Sequence, residues 1–498
     1  MGGNPLKTPE HSPPSRRLII LTLTAAGALA LAGLHRSLRA DDIWSLRTAS
    51  LPLPDMLRTI AADVHPPLYF LLMWPWVRVF GDSEWALRGL PLVLHWLAIA
   101  AVYAAASRVL PRHATWLAAL AYACAPLAVL SAELVRMYSL LGLLAALSIP
   151  AWRDVARKPG MRPLAIWALI HAAGTFTHLW WFCWMAGQAL AAGVFFRAAW
   201  RRWAAAFAAG VLPYALLWGP ALFRQIGRSG DAAAWIEPPK AGQILPLLFL
   251  LLGPLLLALP AAAILRLRGR WDQTWPLPAW LPVMVLGTLL PPLLVSFWKP
   301  FFHPRFTIVA LPAICFWLAG WCARGRPRAV AAVVLGAALI LTLGTLGLPE
   351  GCDARVAARF LARHAQDGDT VLYVSLSRPA TDYYLNRLRP ERDWRESSFP
   401  REIDTHPGYE GDARGRARIP AWREEAEAVA RAAAARPGAR VWVLLRDSHE
   451  PSRILAEALS STLAALPGPV INCQGRDNYY NQIRVFAALP AAPAAALH

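Results

Sequence analysis

LYFLLMWPWVRVF, residues Leu68 to Phe80, is the stretch on which the architecture turns. It is apolar, yet its 13 residues fall short of the about 20 that a helix needs to cross a bilayer, and they suit a re-entrant or interfacial helix. Were it a span, every basic gap after it would face outward. Left at the outer surface, it lets the basic gaps fall on the inner side. Around it, apolar runs of spanning length recur through residues 18–348, and about eleven are expected. Their centres lie near Ala26, Leu97, Leu120, Leu144, Ala168, Ala189, Leu212, Leu255, Val285, Ile314 and Ala337, with Trp and Tyr near the ends as interfacial anchors would be.

Composition agrees: 56% of the 498 residues are hydrophobic and 16% charged, which excludes an ordinary soluble domain. The net charge of +19 raises the question of nucleic acid, but the basic residues fill short gaps between apolar runs rather than one patch, so no nucleic-acid partner is expected. Lys7, Arg16 and Arg17; Arg108 and Arg112; Arg153, Arg157, Lys158 and Arg162; Arg197, Arg201 and Arg202; Arg266, Arg268 and Arg270; and Arg324, Arg326 and Arg328 occupy alternate gaps, expected to be cytoplasmic. The intervening gaps hold fewer, although Arg36 and Arg39 leave the first span ambiguous taken alone.

Residues 1–17, with Pro5, Pro9, Pro13 and Pro14, read as a disordered cytoplasmic tail. The first span reads as an uncleaved signal-anchor, because ten further spans follow it. Cys124, Cys183, Cys315 and Cys322 lie in or beside spans as small apolar side chains. Cys352 and Cys473 fall in the C-terminal part, which an odd number of spans places outside; a disulfide between them and two free thiols are both open.

The loop 35–88 is the longest external connection of the membrane part, and long loops tend to be functional. Within it Leu57, Ile60, Ala61 and Val64 oppose Asp55, Arg58, Thr59 and Asp63 at helical spacing, predicting an amphipathic surface helix that His65-Pro66-Pro67 ends. Residues 349–498 predict a periplasmic α/β domain with strands at 371–375, 441–445 and 483–487 and helices at 354–364, 421–435 and 453–465. It carries no glycine-rich phosphate loop and reads as a lid or acceptor-docking module.

The chemistry concentrates in the loop. Asp41-Asp42 follow the first span, Asp63-Val64-His65-Pro66-Pro67-Leu68-Tyr69 comes about twenty residues on, and Gly81-Asp82-Ser83-Glu84 with Ala86-Leu87-Arg88 closes it. In this order the motifs resemble the GT-C glycosyltransferase superfamily, and within it family 39 and the protein O-mannosyltransferases, whose first external loop begins with an acidic pair and continues to His-Pro-Pro-Leu. This chain has Asp where many relatives have Glu second. Ser131 to Leu140, with Glu133 and Arg136-Met137-Tyr138, resembles the second external motif, and Thr177-His178-Leu179-Trp180 and His303-Pro304-Arg305-Phe306 resemble later segments. The resemblance covers roughly the first 325 residues. It implies a multi-pass α-helical GT-C membrane enzyme, a polyprenyl-phosphate sugar donor and inversion at the anomeric carbon.

The residue chemistry is compatible with that. A sugar leaving a phosphate needs little acid assistance, whereas the attacking hydroxyl must lose a proton, and Asp41 is the expected base. Asp42, Glu133 and His65 are candidates either to hold a divalent metal cation or to order neighbouring groups, and His65 reads equally as a helix-ending hydrogen-bonding residue. Arg136, Tyr138, His178 and Arg305 are candidate binders of the donor phosphate, with headgroup snorkelling and the interfacial belt as the ordinary alternatives for such residues. Expected partners are the lipid-linked donor, membrane lipids and a glycan, lipid or protein acceptor. A transporter or lipid flippase is the rival; such proteins bind near the midplane between repeats, whereas no internal repeat is evident here and the ionisable residues collect at span ends.

Overall fold

The computed structural model describes residues 15–232, 236, 238–240, 242, 244–253, 260, 277–322, 327–346, 354–401, 412–436, 438, 440–445, 450–465, 471–472 and 482–487. The expected span centre at Leu255, the tail 1–14 and the Cys352–Cys473 pair lie outside these residues. Arg16 is already helical, so helix begins slightly before the predicted end of the tail.

The bundle opens with α1 (Arg16–Ala28), which tightens into a 3-10 segment, Leu29–His35. The loop then builds three short helices: α2 (Ala40–Ser50), α3 (Leu53–Ala62) and α4 (Leu68–Phe80). The remaining bundle helices are α5 (Glu84–Ser107), α6 (Arg112–Ala123), α7 (Pro126–Glu133), α8 (Tyr138–Arg157), α9 (Met161–Thr175), α10 (Trp181–Phe195), α11 (Trp200–Ala232), α12 (Ile244–Leu252), α13 (Trp280–Val295), α14 (Leu311–Cys322) and α15 (Pro327–Leu346). Ten of the eleven expected centres fall within these helices. Among the described residues, four helical stretches are long and apolar enough to cross a membrane, or five if α6 and α7, bent by 50°, count as one; others are apolar but shorter. Prolines account for part of this segmentation: Pro126 opens α7, where a missing N–H costs nothing, and a break there needs no lost hydrogen bond.

Helix α3 is the predicted amphipathic helix, with Met56 and Ile60 buried. Helix α4 is the decisive 13-residue stretch; Leu71, Leu72, Val79 and Phe80 are exposed while Tyr69, Phe70 and Met73 are buried, as suits an element lying against lipid. Helix α2 was not expected, since its Asp pair reads as loop; Arg78 of α4 holds its far end by donating to the carbonyls of Ala49 and Leu51, both at 2.9 Å. Three of the basic gaps meet one another: Arg108 pairs with Asp154, Lys158 with Asp154 at 3.0 Å, and Arg202 donates to the Lys158 carbonyl at 2.5 Å.

The C-terminal part holds α16 (Ala354–His364), α17 (Ser377–Leu388), α18 (Asp412–Ala434) and α19 (Glu450–Thr462) around a sheet of β1 (Thr370–Val374), β2 (Arg395–Phe399), β3 (Arg440–Leu445), β4 (Ala464–Ala465), β5 (Ile471–Asn472) and β6 (Gln482–Ala487). Strand order is β2-β1-β3-β6-β4 with β5 also on β6; β1 pairs parallel with β2 and β3, and β6 runs antiparallel. Alternation sorts the two faces. Val371, Tyr373, Trp442, Leu444, Ile483 and Val485 share a core with the helical bundle, while Leu372, Val374, Val441, Val443 and Phe486 pack under α18 and α19. The predicted strands 371–375, 441–445 and 483–487 and helix 354–364 match closely; α18 begins nine residues before its predicted start, β4 takes the end of the predicted helix 453–465, and α17, β2 and β5 were missed.

Candidate active site

The chain leaves α1 through the 3-10 segment and an extended lead, and α2 begins at Ala40, so Asp41 and Asp42 occupy a helical first turn, where carboxylates suit the exposed amides. Their environments diverge. Asp42 is fully buried; its Oδ2 accepts the N–H of Arg39 at 2.9 Å and its Oδ1 the N–H of Val135 at 2.8 Å. Burial pushes its carboxyl above the usual range, against the pull of Arg88 and the two amides. Asp41 keeps its side chain 39% exposed, with Oδ2 3.6 Å from Arg305 Nη1.

Arg88, quoted in the sequence motif without a role, is the organiser of this corner. At 3% exposure it donates from Nε to the Glu133 carbonyl (3.1 Å), from Nη1 to the carbonyls of Leu34 (3.0 Å) and Arg36 (2.6 Å), and from Nη2 to that of Ser37 (2.9 Å). A rigid five-donor fork can serve so many carbonyls at once; an ammonium cannot. Together with the Asp42–Val135 bond it fixes residues 34–42 against residues 133–135.

Arg136 follows directly and reaches His65. Its Nη2 donates to His65 Nε2 at 2.6 Å, and because a guanidinium cannot accept, the imidazole proton sits on Nδ1 and is donated to Asp63 Oδ2 at 2.7 Å. Burial alone would raise the Asp63 carboxyl, but His65, with the Val64 amide and Arg136, carries it down to about 2. The Arg136 guanidinium lies 5.5 Å from the Trp44 ring centre. Tyr138 stands 6.1 Å from His178 and 6.4 Å from Phe306, ring to ring. His178 Nδ1 accepts the N–H of Trp180 at 3.0 Å, and burial, then the nearby His65 and Arg136, hold its pKa at about 3, so it is neutral at pH 7. His303, quoted in the sequence motif but given no role, accepts the N–H of Arg305 at 3.3 Å and is likewise pushed down to about 3 by burial and then by Arg305.

Thus Asp41, His65, Arg136, Tyr138, His178 and Arg305, drawn from segments far apart in sequence, form one neighbourhood. The expected metal set does not assemble. Asp42 spends both oxygens on backbone amides, His65 is held between Asp63 and Arg136, and the Glu133 carboxylate lies 3.6 Å from Arg36 against Gly33. Among the described residues no three His, Cys, Asp or Glu side chains gather as a cation would require. What the arrangement offers is two guanidinium groups for an anion and, beside them, one solvent-accessible carboxylate that can take a proton.

No family model matches the chain, and no curated protein sequence matches it. Among solved structures, ArnT from Cupriavidus metallidurans bound to undecaprenyl phosphate is similar over 96% of this chain and 99% of its own, with a TM-score of 0.58 at 14% identity. Its apo state matches over 95% and 99%, with a TM-score of 0.59 at 14% identity. The archaeal oligosaccharyltransferase AglB from Archaeoglobus fulgidus, in complex with an inhibitory peptide and a dolichol-phosphate, matches over 91% of this chain and 73% of its own, with a TM-score of 0.49 at 11% identity. The multi-pass helical fold expected from the loop motifs is therefore the fold of this chain, shared with ArnT over nearly its whole length.

Proposed function

We propose that this chain is a glycosyltransferase of a bacterial cytoplasmic membrane that moves a sugar from a polyprenyl-phosphate carrier to an acceptor hydroxyl at the outer face. The observation that carries this reading is the placement of the half-exposed Asp41 3.6 Å from Arg305, in the neighbourhood that also holds Arg136. Arg136 and Arg305 grip the donor phosphate, with Tyr138 and His178 beside it. Asp41 takes the proton of the acceptor hydroxyl as its oxygen bonds to the anomeric carbon from the face opposite the phosphate. The carbon–oxygen bond to phosphate breaks, the polyprenyl phosphate leaves with the electron pair, and the configuration inverts. The His65–Asp63 pair holds Arg136 in place. In this reading the N-terminus lies inside, the C-terminal α/β part outside, and the acceptor is a glycan, lipid or protein.

The test is purified protein with a panel of polyprenyl-phosphate sugars, comparing wild type with Asp41→Asn and reading the product anomer by NMR. Loss of about 10²–10⁴-fold in turnover with donor binding retained supports the base; equal turnover removes it. No transfer from any donor, with lipid translocation in vesicles, supports the rival transporter.

A further inference from the structure

The extended lead into α2, residues 36–39, is held from two sides. From the bundle comes Arg88. From the C-terminal α/β part come two side chains that nothing in the sequence singled out. The Tyr384 hydroxyl, on α17, accepts the N–H of Leu38 at 2.8 Å in a buried bond. Arg355, on α16, donates to the Arg36 carbonyl at 3.3 Å, the same oxygen that Arg88 uses, and also pairs with Glu84. The Arg355 guanidinium lies 5.4 Å from the Tyr384 ring centre, so the two act as one unit. Around them the contact is continuous. Tyr383 donates to the Asp82 carbonyl at 2.8 Å, and Arg387 pairs with the Asp82 carboxylate at 2.6 Å.

We infer that Tyr384 and Arg355 are positioning residues, which set the start of α2, and through it Asp41, from the C-terminal part of the chain. This rests on the glycosyltransferase reading. Asp41 lies three residues beyond the amide that Tyr384 holds. A hydrogen bond to the backbone just ahead of a helix fixes where its first turn begins. A displacement of about 1 Å in a reacting group costs on the order of 100-fold in rate. The phosphate grip, by contrast, stands on Arg136 and Arg305, which belong to other segments. Loosening the lead should therefore slow the chemical step and leave donor binding alone. The C-terminal part then completes the site rather than only covering it.

The test is Tyr384→Phe, which keeps the ring and removes the acceptor, with Arg355→Gln as an independent second variant, both in the full chain. Expected are a kcat lower by about 10–100-fold, a donor KM within about twofold of wild type, and faster hydrogen exchange in the peptide carrying residues 36–42. A merely structural loss would lower the amount of folded protein and leave kcat per folded molecule intact. Wild-type kcat and wild-type exchange in both variants overturn this inference while leaving the glycosyltransferase reading standing. A wild-type protein that transfers no sugar overturns that reading, and the catalytic consequence drawn here with it.

Discussion

Asp42 Oδ1 accepts the backbone N–H of Val135 at 2.8 Å, joining the first turn of α2 to the junction of α7 and α8 across 93 residues of sequence. The adjacent acidic pair is thereby divided: Asp42 anchors two strands of backbone, and Asp41 remains available to solvent. Asp42→Ala leaves the amides of Arg39 and Val135 buried without an acceptor, and should cost about 2–4 kcal/mol. Asp42→Asn, which keeps one acceptor, should cost less. Thermal unfolding of the purified protein in detergent measures both, and an unchanged midpoint for the alanine variant would remove the anchor.

Arg88→Lys preserves charge and loses the fork. Of the carbonyls of Leu34, Arg36, Ser37 and Glu133, an ammonium on a shorter reach cannot serve all, and each buried oxygen left unpaired costs about 1–3 kcal/mol. A fall in unfolding temperature comparable to that of Arg88→Met is expected; wild-type stability in the lysine variant would show that the fork geometry is dispensable.

The Asp63 carboxyl is held at about 2, below the ordinary value of about 3.9. Its contribution, on the order of 2 kcal/mol, is fully present above about pH 5 and is lost as pH falls through 4 toward 2, where the folded state must also take up the proton. Asp63→Asn should accordingly be less stable than wild type at neutral pH and lose less stability between pH 5 and 2. Unfolding midpoints measured across that range decide it, and parallel curves for the two proteins would contradict the assignment.

Helices α10 and α13 meet at glycine. A Cβ on Gly187 would stand 2.2 Å from Thr288 Oγ1 and 2.3 Å from the Met284 carbonyl oxygen, which is backbone and cannot turn aside. Gly187→Val should cost about 1–3 kcal/mol or more through forced separation of the helices. Gly193, on the same helix, has open space where its Cβ would go, so Gly193→Ala should be neutral or stabilising by up to about 1 kcal/mol. Yield of monodisperse protein together with the unfolding midpoint separates the two.

Much of this was legible in one dimension. Apolar runs located the helices because lipid imposes a length and a composition on any span, and alternation located β1, β3 and β6 because their two faces enter different cores. The short stretch from Leu68 read as non-spanning for the same reason of length. Helix α2 was hidden because two aspartates at its start look like loop, and a helical first turn is where aspartate is also at home. Helix α17 was hidden because Pro379, Thr381, Asp382 and Asn386 interrupt its apolar pattern, and strand β2 because Arg395, Glu396, Ser397 and Ser398 fill four of its five positions; the burial of both comes from neighbours. The separate fates of Asp41 and Asp42 had no sequence signal at all: they differ by a partner on Val135 and by the carbonyls that Arg88 collects. Partnerships with backbone leave no trace in side-chain pattern, and for that reason the supposed metal ligands looked plausible together.

The 50° turn between α6 and α7 has a consequence for the place of Arg136. Helix α7 is 8 residues long, a lever of about 12 Å, so straightening that elbow would swing its far tip on the order of 10 Å. Arg136 rides just past the tip, and its meeting with His65 depends on that angle. Pro126, close against Gly253, opens the arm whose angle sets how far the Arg136 guanidinium stands from His65.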